Sequence, residues 1–162
     1  MRKLAVSAAV AALALAACGQ GAPSGNAAQQ GAGAFQTASL PACESPAAAI
    51  AIGASVAGEI TQTQQPYPAN ARYYCFAVPE GSGAVTVTLS GMATDLDLYV
   101  GSNGLQSVQG VNLQAGETYE WKANAFGTGD EVVTINNPRA GTYYAEIVSY
   151  QGEPSAFTFA VR

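Results

Sequence analysis

The sequence predicts an all-β protein, an antiparallel β-sandwich or jelly-roll-like fold of about seven to eight strands. Three observations support this fold class. From about residue 55 onward, apolar and polar residues alternate with the period of two that is typical of strands with one buried face. Turn residues interrupt the alternation about every eight to twelve positions. No segment of this region has the period of an amphipathic helix, so both layers of the core are expected to be sheets.

The predicted strands follow one another with turns between them. Eight segments fit the alternation: ASVAGEITQ, ARYYCFAV, GAVTVTLSG, DLDLYV, ETYEWKA, DEVVTIN, GTYYAEIVSY and SAFTFAVR. In three of them the alternation directs these apolar residues toward the core: Val85, Val87, Leu89, Leu96, Leu98, Val100, Phe157, Phe159 and Val161. Asp95, Asp97 and Tyr99 are predicted on the opposite, outer face.

Residues 1–17 have the pattern of an export signal. Arg2 and Lys3 precede an unbroken small and apolar run from Leu4 to Ala17. A helix of that length rises about 21 Å, which is short of a hydrocarbon core of roughly 30 Å and disfavours a permanent transmembrane helix. The run ends in LAAC, and this tetrapeptide resembles the lipobox of bacterial lipoproteins.

The lipobox resemblance implies a lipid anchor on Cys18. It implies cleavage before this cysteine, a thioether-linked diacylglycerol and acylation of the new amino terminus. Several acyl chains on one residue give stable membrane attachment. Gly19 follows the cysteine, whereas an Asp there favours inner-membrane retention in Gram-negative lipoproteins. The resemblance therefore implies the outer membrane of the cell envelope, with either face open. An ordinary secretory signal is the alternative.

The rest of the chain divides into a linker, residues 18–42, and a domain, residues 43–162. The linker is rich in Gly, Ala, Gln and Ser and has no charge. Such a composition is typical of a flexible tether, with a reach of about 25 to 29 Å.

Two cysteines remain in the predicted domain, Cys43 and Cys75. Because an exported chain meets an oxidising compartment, we expect them to form a disulfide. Two separate buried thiols are the alternative. A redox-active pair is disfavoured, since CxxC spacing is missing and no basic residue flanks either thiol.

Charge and composition exclude several functions. The net charge is −5 with six scattered basic residues, which opposes binding to nucleic acid because phosphates require clustered Lys and Arg. The chain has no histidine, so a Ser/His/Asp nucleophile and a His-ligated zinc site are excluded. Asp95 and Asp97 are predicted on an outer sheet face with no third group beside them, so we predict a protein that is not an enzyme.

Several segments together carry a resemblance to a known family. In order and spacing, ARYYCFAVPEG, AVTVTLSG, DLDLYV, GDEVVTINNPRAGTYYAEIVSY and FTFAV resemble the bacterial pre-peptidase C-terminal domain over residues 55–162. The most specific parts are Asp95–Tyr99 and Gly141–Tyr144. The resemblance implies a jelly-roll-like sandwich of the kind appended to secreted peptidases. It also implies similarity to the calcium-stabilised collagen-binding domains of clostridial collagenases.

Calcium is the metal that the acidic residues suggest. Asp95, Asp97, Asp130 and Glu131 lie near predicted strand starts, where loop carbonyls are available to complete an oxygen shell. Plausible additional ligands are Asn103, Asn136 and Asn137. The alternative is that these acids accept hydrogen bonds from backbone amides or Tyr hydroxyls, or pair with Lys122 and Arg139.

Aromatic residues suggest a binding face. Tyr74, Tyr99, Tyr144 and Tyr150 are predicted outward, where they would bind a protein or glycan partner. Cross-strand pairing that stabilises the sheet is the alternative. Two functions follow: a non-catalytic, membrane-anchored lipoprotein with a binding or accessory sandwich, or a purely structural envelope lipoprotein, with or without a stabilising calcium ion.

Overall fold

The fold is seen in a computed structural model that describes residues 40–61, 71–109, 118–149 and 151–162. These residues belong to one unit, Gln36–Arg162. The export signal, Cys18 and nearly all of the linker lie outside the described residues, so the lipid anchor and the tether stay predictions. No helix in the described part of the chain is long and apolar enough to cross a membrane.

In the described residues, nine strands form two sheets that pack face to face. The strands are β1 (Ala48–Ala49), β2 (Ser55–Ile60), β3 (Arg72–Val78), β4 (Val85–Ser90), β5 (Leu96–Gly101), β6 (Trp121–Ala123), β7 (Glu131–Ile135), β8 (Gly141–Ser149) and β9 (Ser155–Val161). One sheet has the order β1-β3-β8-β5-β6 and the other the order β2-β9-β4-β7. All pairs are antiparallel except β1 with β3. The predicted all-β sandwich is confirmed.

Each of the eight predicted segments contains one strand, and β1 is additional. It was not predicted because it consists of two alanines, too few residues to show an alternation. Its pairing with β3 places Ala48 opposite Tyr74 and Ala49 opposite Cys75.

The main core lies between the two sheets. Every residue that the alternation directed inward is buried there, with at most 3% of its surface exposed. Fully buried Phe76, Leu98 and Ile147 project from the five-stranded sheet, and Val87 and Phe159 from the four-stranded sheet. Burying such a side chain stabilises the fold by about 1.5 to 3 kcal/mol.

Tyr74 is part of this core, so its prediction as an outward residue is wrong. Its ring stacks on Phe159 with centroids 4.5 Å apart and meets Phe157 edge to face at 6.4 Å. Gly58 on β2 makes room for this group, because a Cβ atom there would collide with the Phe157 ring and lie 2.8 Å from the Tyr74 hydroxyl oxygen.

A second layer covers the outer face of the five-stranded sheet. It consists of residues 43–47, the single-turn 3-10 helix Leu105–Ser107 and Tyr119. The disulfide between Cys43 and Cys75, with Cα atoms 5.9 Å apart, joins this layer to β3 and confirms the predicted pairing. Leu105 of this layer forms an apolar cluster with Val108, Tyr144 and Cys75. The outer face of this sheet is therefore a second, smaller core.

Polar residues cross the same face in one row. The strand registers place Tyr73 opposite Glu146, Glu146 opposite Tyr99, and Tyr99 opposite Lys122. This row, the Glu146 row, spans β3, β8, β5 and β6. Glu146 in its middle is fully buried.

Candidate functional site

The acidic residues singled out from the sequence lie at one end of the sandwich, where β5 and β7 begin. Asp95 precedes β5, and Asp97 lies within it. Asp97 and Glu131 are buried, with 6% and 3% of their surfaces exposed, whereas Asp130 is exposed. Asp97 alternates with the inward-facing Leu96 and Leu98, as predicted, but it is buried instead of exposed.

Each of three carboxylates accepts a hydrogen bond from the protein. The Tyr99 hydroxyl donates to Oδ2 of Asp97 at 3.3 Å. The backbone N–H of Ala125 donates to Oε1 of Glu131 at 3.0 Å, and that of Gly127 donates to Oδ1 of Asp95 at 3.1 Å. These contacts are the backbone and Tyr hydroxyl interactions that were the alternative to calcium binding.

Burial and repulsion between the carboxylates raise the pKa values of two of these acids, Asp97 and Glu131. The pKa of Asp97 is raised to about 6, mainly by burial and next by the nearby Asp95 charge, while the Tyr99 hydroxyl and Lys122 oppose the rise. Burial also raises the pKa of Glu131, and the Ala125 amide opposes this effect. The three carboxylates thus form a crowded negative cluster at the base of the β6–β7 loop.

The four predicted calcium ligands do not come together as a metal site. Within residues 40–61, 71–109, 118–149 and 151–162, no three His, Cys, Asp or Glu side chains are grouped so that they could hold a metal ion. Asp130 is exposed whereas its neighbour Glu131 is buried, because successive side chains point to opposite sides of an extended chain. Asn136 and Asn137 lie beyond the far end of β7. The four acids are therefore not grouped as the sequence predicted, and calcium binding stays a prediction.

The predicted tyrosine face is also corrected. Tyr99 and Tyr144 are only 3% and 4% exposed. The Tyr99 ring packs against Tyr119 with centroids 4.9 Å apart, and the Tyr144 hydroxyl accepts a hydrogen bond of 3.2 Å from the Glu44 amide. Both rings are on the outer face, but the second layer covers them, so they stabilise the fold instead of meeting a partner. Tyr150 lies outside the described residues.

The structure reveals a groove that the sequence did not predict. It has a volume of about 260 Å³ and lies between the start of β6, the end of β7 and the loop from β7 to β8. We call it the Trp121 groove. Its lining residues are Ser102, Glu120, Trp121, Ile135, Asn136, Asn137, Pro138, Arg139 and Tyr143.

Apolar side chains form the floor of the Trp121 groove. Ile135 and Tyr143 are buried, and Trp121 is half-buried. The Trp121 and Tyr143 rings lie 5.9 Å apart between centroids, at an interplanar angle of 38°. The exposed part of the indole therefore offers an aromatic surface on a supported base, which suits stacking against a sugar ring or an apolar side chain.

Polar groups form the rim, and several are held in place. Ser102 donates to Oε2 of Glu120 through its backbone N–H at 2.6 Å and through its hydroxyl at 2.5 Å. Across the groove, the Tyr143 hydroxyl donates to the carbonyl oxygen of Arg139 at 3.1 Å. Asn137 has a φ of 51°, the left-handed conformation that Asn tolerates better than most residues. The rim thus combines one carboxylate, one guanidinium and two amides around an aromatic floor.

The composition of this groove resembles that of a ligand site. A small number of placed polar groups over an apolar base is the usual composition of a ligand site. Glu120 is the single carboxylate in the lining, whereas glycoside hydrolysis uses a pair of carboxyl groups. The signals available in the sequence were the lone Trp and the turn-forming stretch NNPRAG, but nothing in the sequence showed that they meet.

A second cavity, of about 390 Å³, lies at the opposite edge of the sandwich. Its lining residues are Pro46, Ala48, Ala71, Arg72, Tyr73 and Tyr74. Among its described lining residues Arg72 is the one charged group, whereas the Trp121 groove offers a carboxylate, a guanidinium and two amides. The Trp121 groove is therefore the better candidate for selective binding.

Comparison with known proteins agrees with this fold. The family model for the bacterial pre-peptidase C-terminal domain matches residues 70–149, just under half of the chain. This family is a non-catalytic β-sandwich domain. The resemblance deduced from the sequence is confirmed over these residues. No curated protein matches the chain.

Two solved structures are similar to the chain. The pre-peptidase C-terminal domain of a collagenase from Bacillus anthracis aligns with a TM-score of 0.50 and 13% identity, covering 70% of this chain and 91% of its own. PliG from Aeromonas hydrophila, a periplasmic inhibitor of g-type lysozyme, aligns with a TM-score of 0.42 and 14% identity, covering 67% of this chain and 85% of its own. At these identities the first likeness concerns the fold alone.

Proposed function

We propose that this protein is a non-catalytic binding module that holds a protein or glycan partner at the cell envelope. The observation that carries the proposal is the Trp121 groove, with its aromatic floor and its fixed polar rim. The matched family, a non-catalytic sandwich domain, supports the non-catalytic part of the proposal.

The groove favours an uncharged, polar ligand. Glu120 and Arg139 have opposite charges and balance each other, while Asn136 and Asn137 each supply a hydrogen-bond donor and an acceptor. A saccharide or an extended peptide segment presents the complementary groups, and either one has a face that stacks on an indole ring. A phosphorylated or strongly acidic ligand fits less well, because the net charge of the protein is −5.

The proposal is tested by direct binding to defined probes. The full-length chain in mild detergent is titrated with a panel of neutral oligosaccharides and a panel of uncharged extended peptides. We expect at least one class to bind, and Arg139→Ala to weaken that binding at least tenfold. The Arg139 side chain is exposed, and the hydrogen bond from Tyr143 goes to its backbone oxygen, so the variant retains the fold.

A matched control is Ile52→Ala, which removes an exposed side chain close to β2, the edge strand on the other side of the four-stranded sheet. It should bind as the wild type does. Equal binding by Arg139→Ala and wild type would reject the groove as the site. A monomeric protein that binds neither panel would favour the purely structural envelope lipoprotein.

We further propose that the module is attached to the outer membrane through a lipid on Cys18. The support is the LAAC sequence and the Gly that follows it. Cells fed an alkyne-tagged fatty acid should label the wild-type chain, and Cys18→Ser should abolish the label. The Cys43→Ala/Cys75→Ala variant, which keeps Cys18, is the control that should remain labelled. Fractionation of the two membranes then tests the location, and recovery in the inner membrane would contradict the assignment to the outer one.

A further inference from the structure

We propose that Phe126 is a rigid anchor that docks into an apolar pocket of a second protein, and that Lys or Arg residues surround this pocket. This surface is separate from the Trp121 groove, so the proposal does not depend on it. Phe126 lies in the loop 124–130 between β6 and β7, at the start of β7. The groove lies at the end of β7, about 17 Å away for a strand of five residues.

The first observation is the exposure of the ring. Phe126 is 93% exposed, whereas the other large exposed apolar residues of the described chain, Leu40, Ile52 and Val132, are 58%, 38% and 50% exposed. A scattered exposed hydrophobic residue is common on protein surfaces. The Phe126 ring is unusual because it makes almost no contact with its own protein while its backbone is fixed.

The second observation is how the backbone is fixed. The amides immediately before and after Phe126 both donate to buried or partly buried carboxylates: Ala125 N–H to Glu131 and Gly127 N–H to Asp95, at 3.0 and 3.1 Å. The two acceptors come from two different sheets, since Glu131 begins β7 and Asp95 precedes β5. Hydrogen bonds to ionised acceptors are among the stronger ones in proteins. The loop is therefore held on both sides of the exposed ring.

The backbone conformation of Gly127 also helps to expose the Phe126 ring. Its φ is +110°, in the region that favours glycine. The chain changes direction directly after Phe126, which leaves the ring at the tip of the loop.

A fixed loop with an exposed aromatic tip is suited to binding. Aromatic anchors that fill a pocket contribute a large share of binding energy at protein interfaces. Because the loop is already ordered, association loses less conformational entropy than it would with a mobile loop. We therefore assign Asp95 and Glu131 the role of holding Phe126 in position for a partner.

Charge indicates the kind of partner. Within the loop Asp130 is exposed and Asp95 beside it is half-buried, whereas Asp97 and Glu131 are buried and contribute negative potential without meeting a partner directly. The cation that acts on Asp97 is Lys122. Complementary potentials favour association, and like charges oppose it. A basic rim around an apolar pocket matches this surface. An anionic lipid surface does not match it, and neither does a second copy of this acidic chain, because like charges repel.

Site-specific crosslinking tests the proposal. Phe126→p-benzoylphenylalanine in the full-length chain is irradiated in intact cells, and the crosslinked peptides are mapped by mass spectrometry. We expect crosslinks to one protein, at an apolar pocket flanked by Lys or Arg. Crosslinks only to lipid, only to a second copy of this chain, only to a surface without basic residues, or to nothing would each overturn the proposal. The same photo-reactive residue at Val132, which is exposed on β7, is the control and should not give that crosslink.

The partner identified by crosslinking is then purified, and its affinity for variants of this protein is measured. These measurements test separately the Phe126 ring and the two acids, Asp95 and Glu131, that hold its loop. Phe126→Ala should weaken binding at least thirtyfold, and Phe126→Trp should bind within threefold of wild type. Asp95→Asn combined with Glu131→Gln keeps the ring but weakens both supports, and it should reduce affinity about fivefold to tenfold. Phe126 is exposed, so Phe126→Ala retains the fold. Wild-type affinity in Phe126→Ala would overturn the proposal, and wild-type affinity in the double variant would overturn the role given to the acids.

Discussion

The Tyr73 hydroxyl donates a hydrogen bond of 3.0 Å to Oε1 of Glu146, a carboxyl group that is fully buried beneath the second layer. The two residues are directly opposite each other in the register of β3 and β8. Burial, together with the charge of Glu146 and its hydrogen bond, raises the pKa of the Tyr73 hydroxyl far above its ordinary value. Tyr73 is therefore a protonated donor throughout the neutral range, and it supports the acid at the centre of the Glu146 row.

Removing this donor should destabilise the fold. In Tyr73→Phe the buried carboxyl loses a hydrogen bond, which costs about 1 to 3 kcal/mol. Urea unfolding at pH 7 measures the loss. In a Glu146→Gln background the same change should cost less, because the group left behind is neutral, and a double-mutant cycle gives the coupling. A Tyr73→Phe variant as stable as wild type would contradict the prediction.

The space at Gly58 gives a second prediction. A methyl group there collides with the buried Phe157 ring and approaches the Tyr74 hydroxyl. Gly58→Ala should therefore lower the free energy of unfolding by about 1 to 3 kcal/mol. Gly83→Ala is the matched control, since nothing lies within 4 Å of a Cβ atom there. The two variants should differ clearly in thermal midpoint, and equal midpoints would show that β9 shifts to accommodate the methyl group.

The disulfide gives a third prediction. Cys43 and Cys75 are 32 residues apart, and closing a loop of that length stabilises a fold by about 3 to 4 kcal/mol on the chain-entropy model. Cys43→Ala combined with Cys75→Ala should lose about that much, measured in urea. Because the bond also fixes residues 43–47 over the sheet, we expect faster amide hydrogen exchange around Tyr144 in the variant. Added reductant should destabilise the wild type and leave the variant unchanged.

The pH dependence of Asp97 gives a fourth prediction. Its pKa is about 6 in the folded protein against an ordinary value of 3.8. The folded state therefore takes up a proton before the unfolded state does, so this group lowers the free energy of unfolding as pH rises from about 4 to about 6. Asp97→Asn avoids this loss and should be more stable than wild type by about 1 kcal/mol at pH 7.5, a value reduced to allow for screening.

At pH 4 the wild-type Asp97 is largely protonated, so the advantage of Asp97→Asn should disappear. Asp130→Asn is the control, because Asp130 is exposed and its replacement should leave stability nearly unchanged at both pH values. A constant difference between Asp97→Asn and wild type from pH 4 to pH 7.5 would show that the carboxyl does not titrate in this range.

Local pattern explains how much of the fold could be predicted. Side chains alternate between the two faces of a strand, so the sequence of β4, β5 and β9 directly identified the inner residues, all of which are buried. The pattern also placed Asp97, Tyr99 and Tyr144 on the outer face. It gave no information on what lies over that face, and this is why the prediction of an exposed tyrosine surface was wrong.

The Trp121 groove could not be predicted from the sequence for a related reason. The Trp121 groove joins Ser102, Trp121 and Arg139, which come from three separate parts of the chain. Their proximity depends on how β6, β7 and the β7–β8 loop meet at one edge of the sandwich. Likewise, nothing near Phe126 in the sequence showed that Asp95 would hold its loop.

The sequence by itself determined the all-β fold class and the order of the main strands along the chain, which follow from a period of two. It predicted the pairing of Cys43 with Cys75, and the structure decided between a disulfide and two separate thiols. Only the tertiary structure decided that Tyr74, Tyr99, Tyr144 and Asp97 are buried. It also decided that Asp95 and Glu131 support a loop and that Phe126 is exposed. The physical reason is that alternation assigns a side chain to a face, whereas contacts between distant segments decide whether that face meets solvent or a second layer.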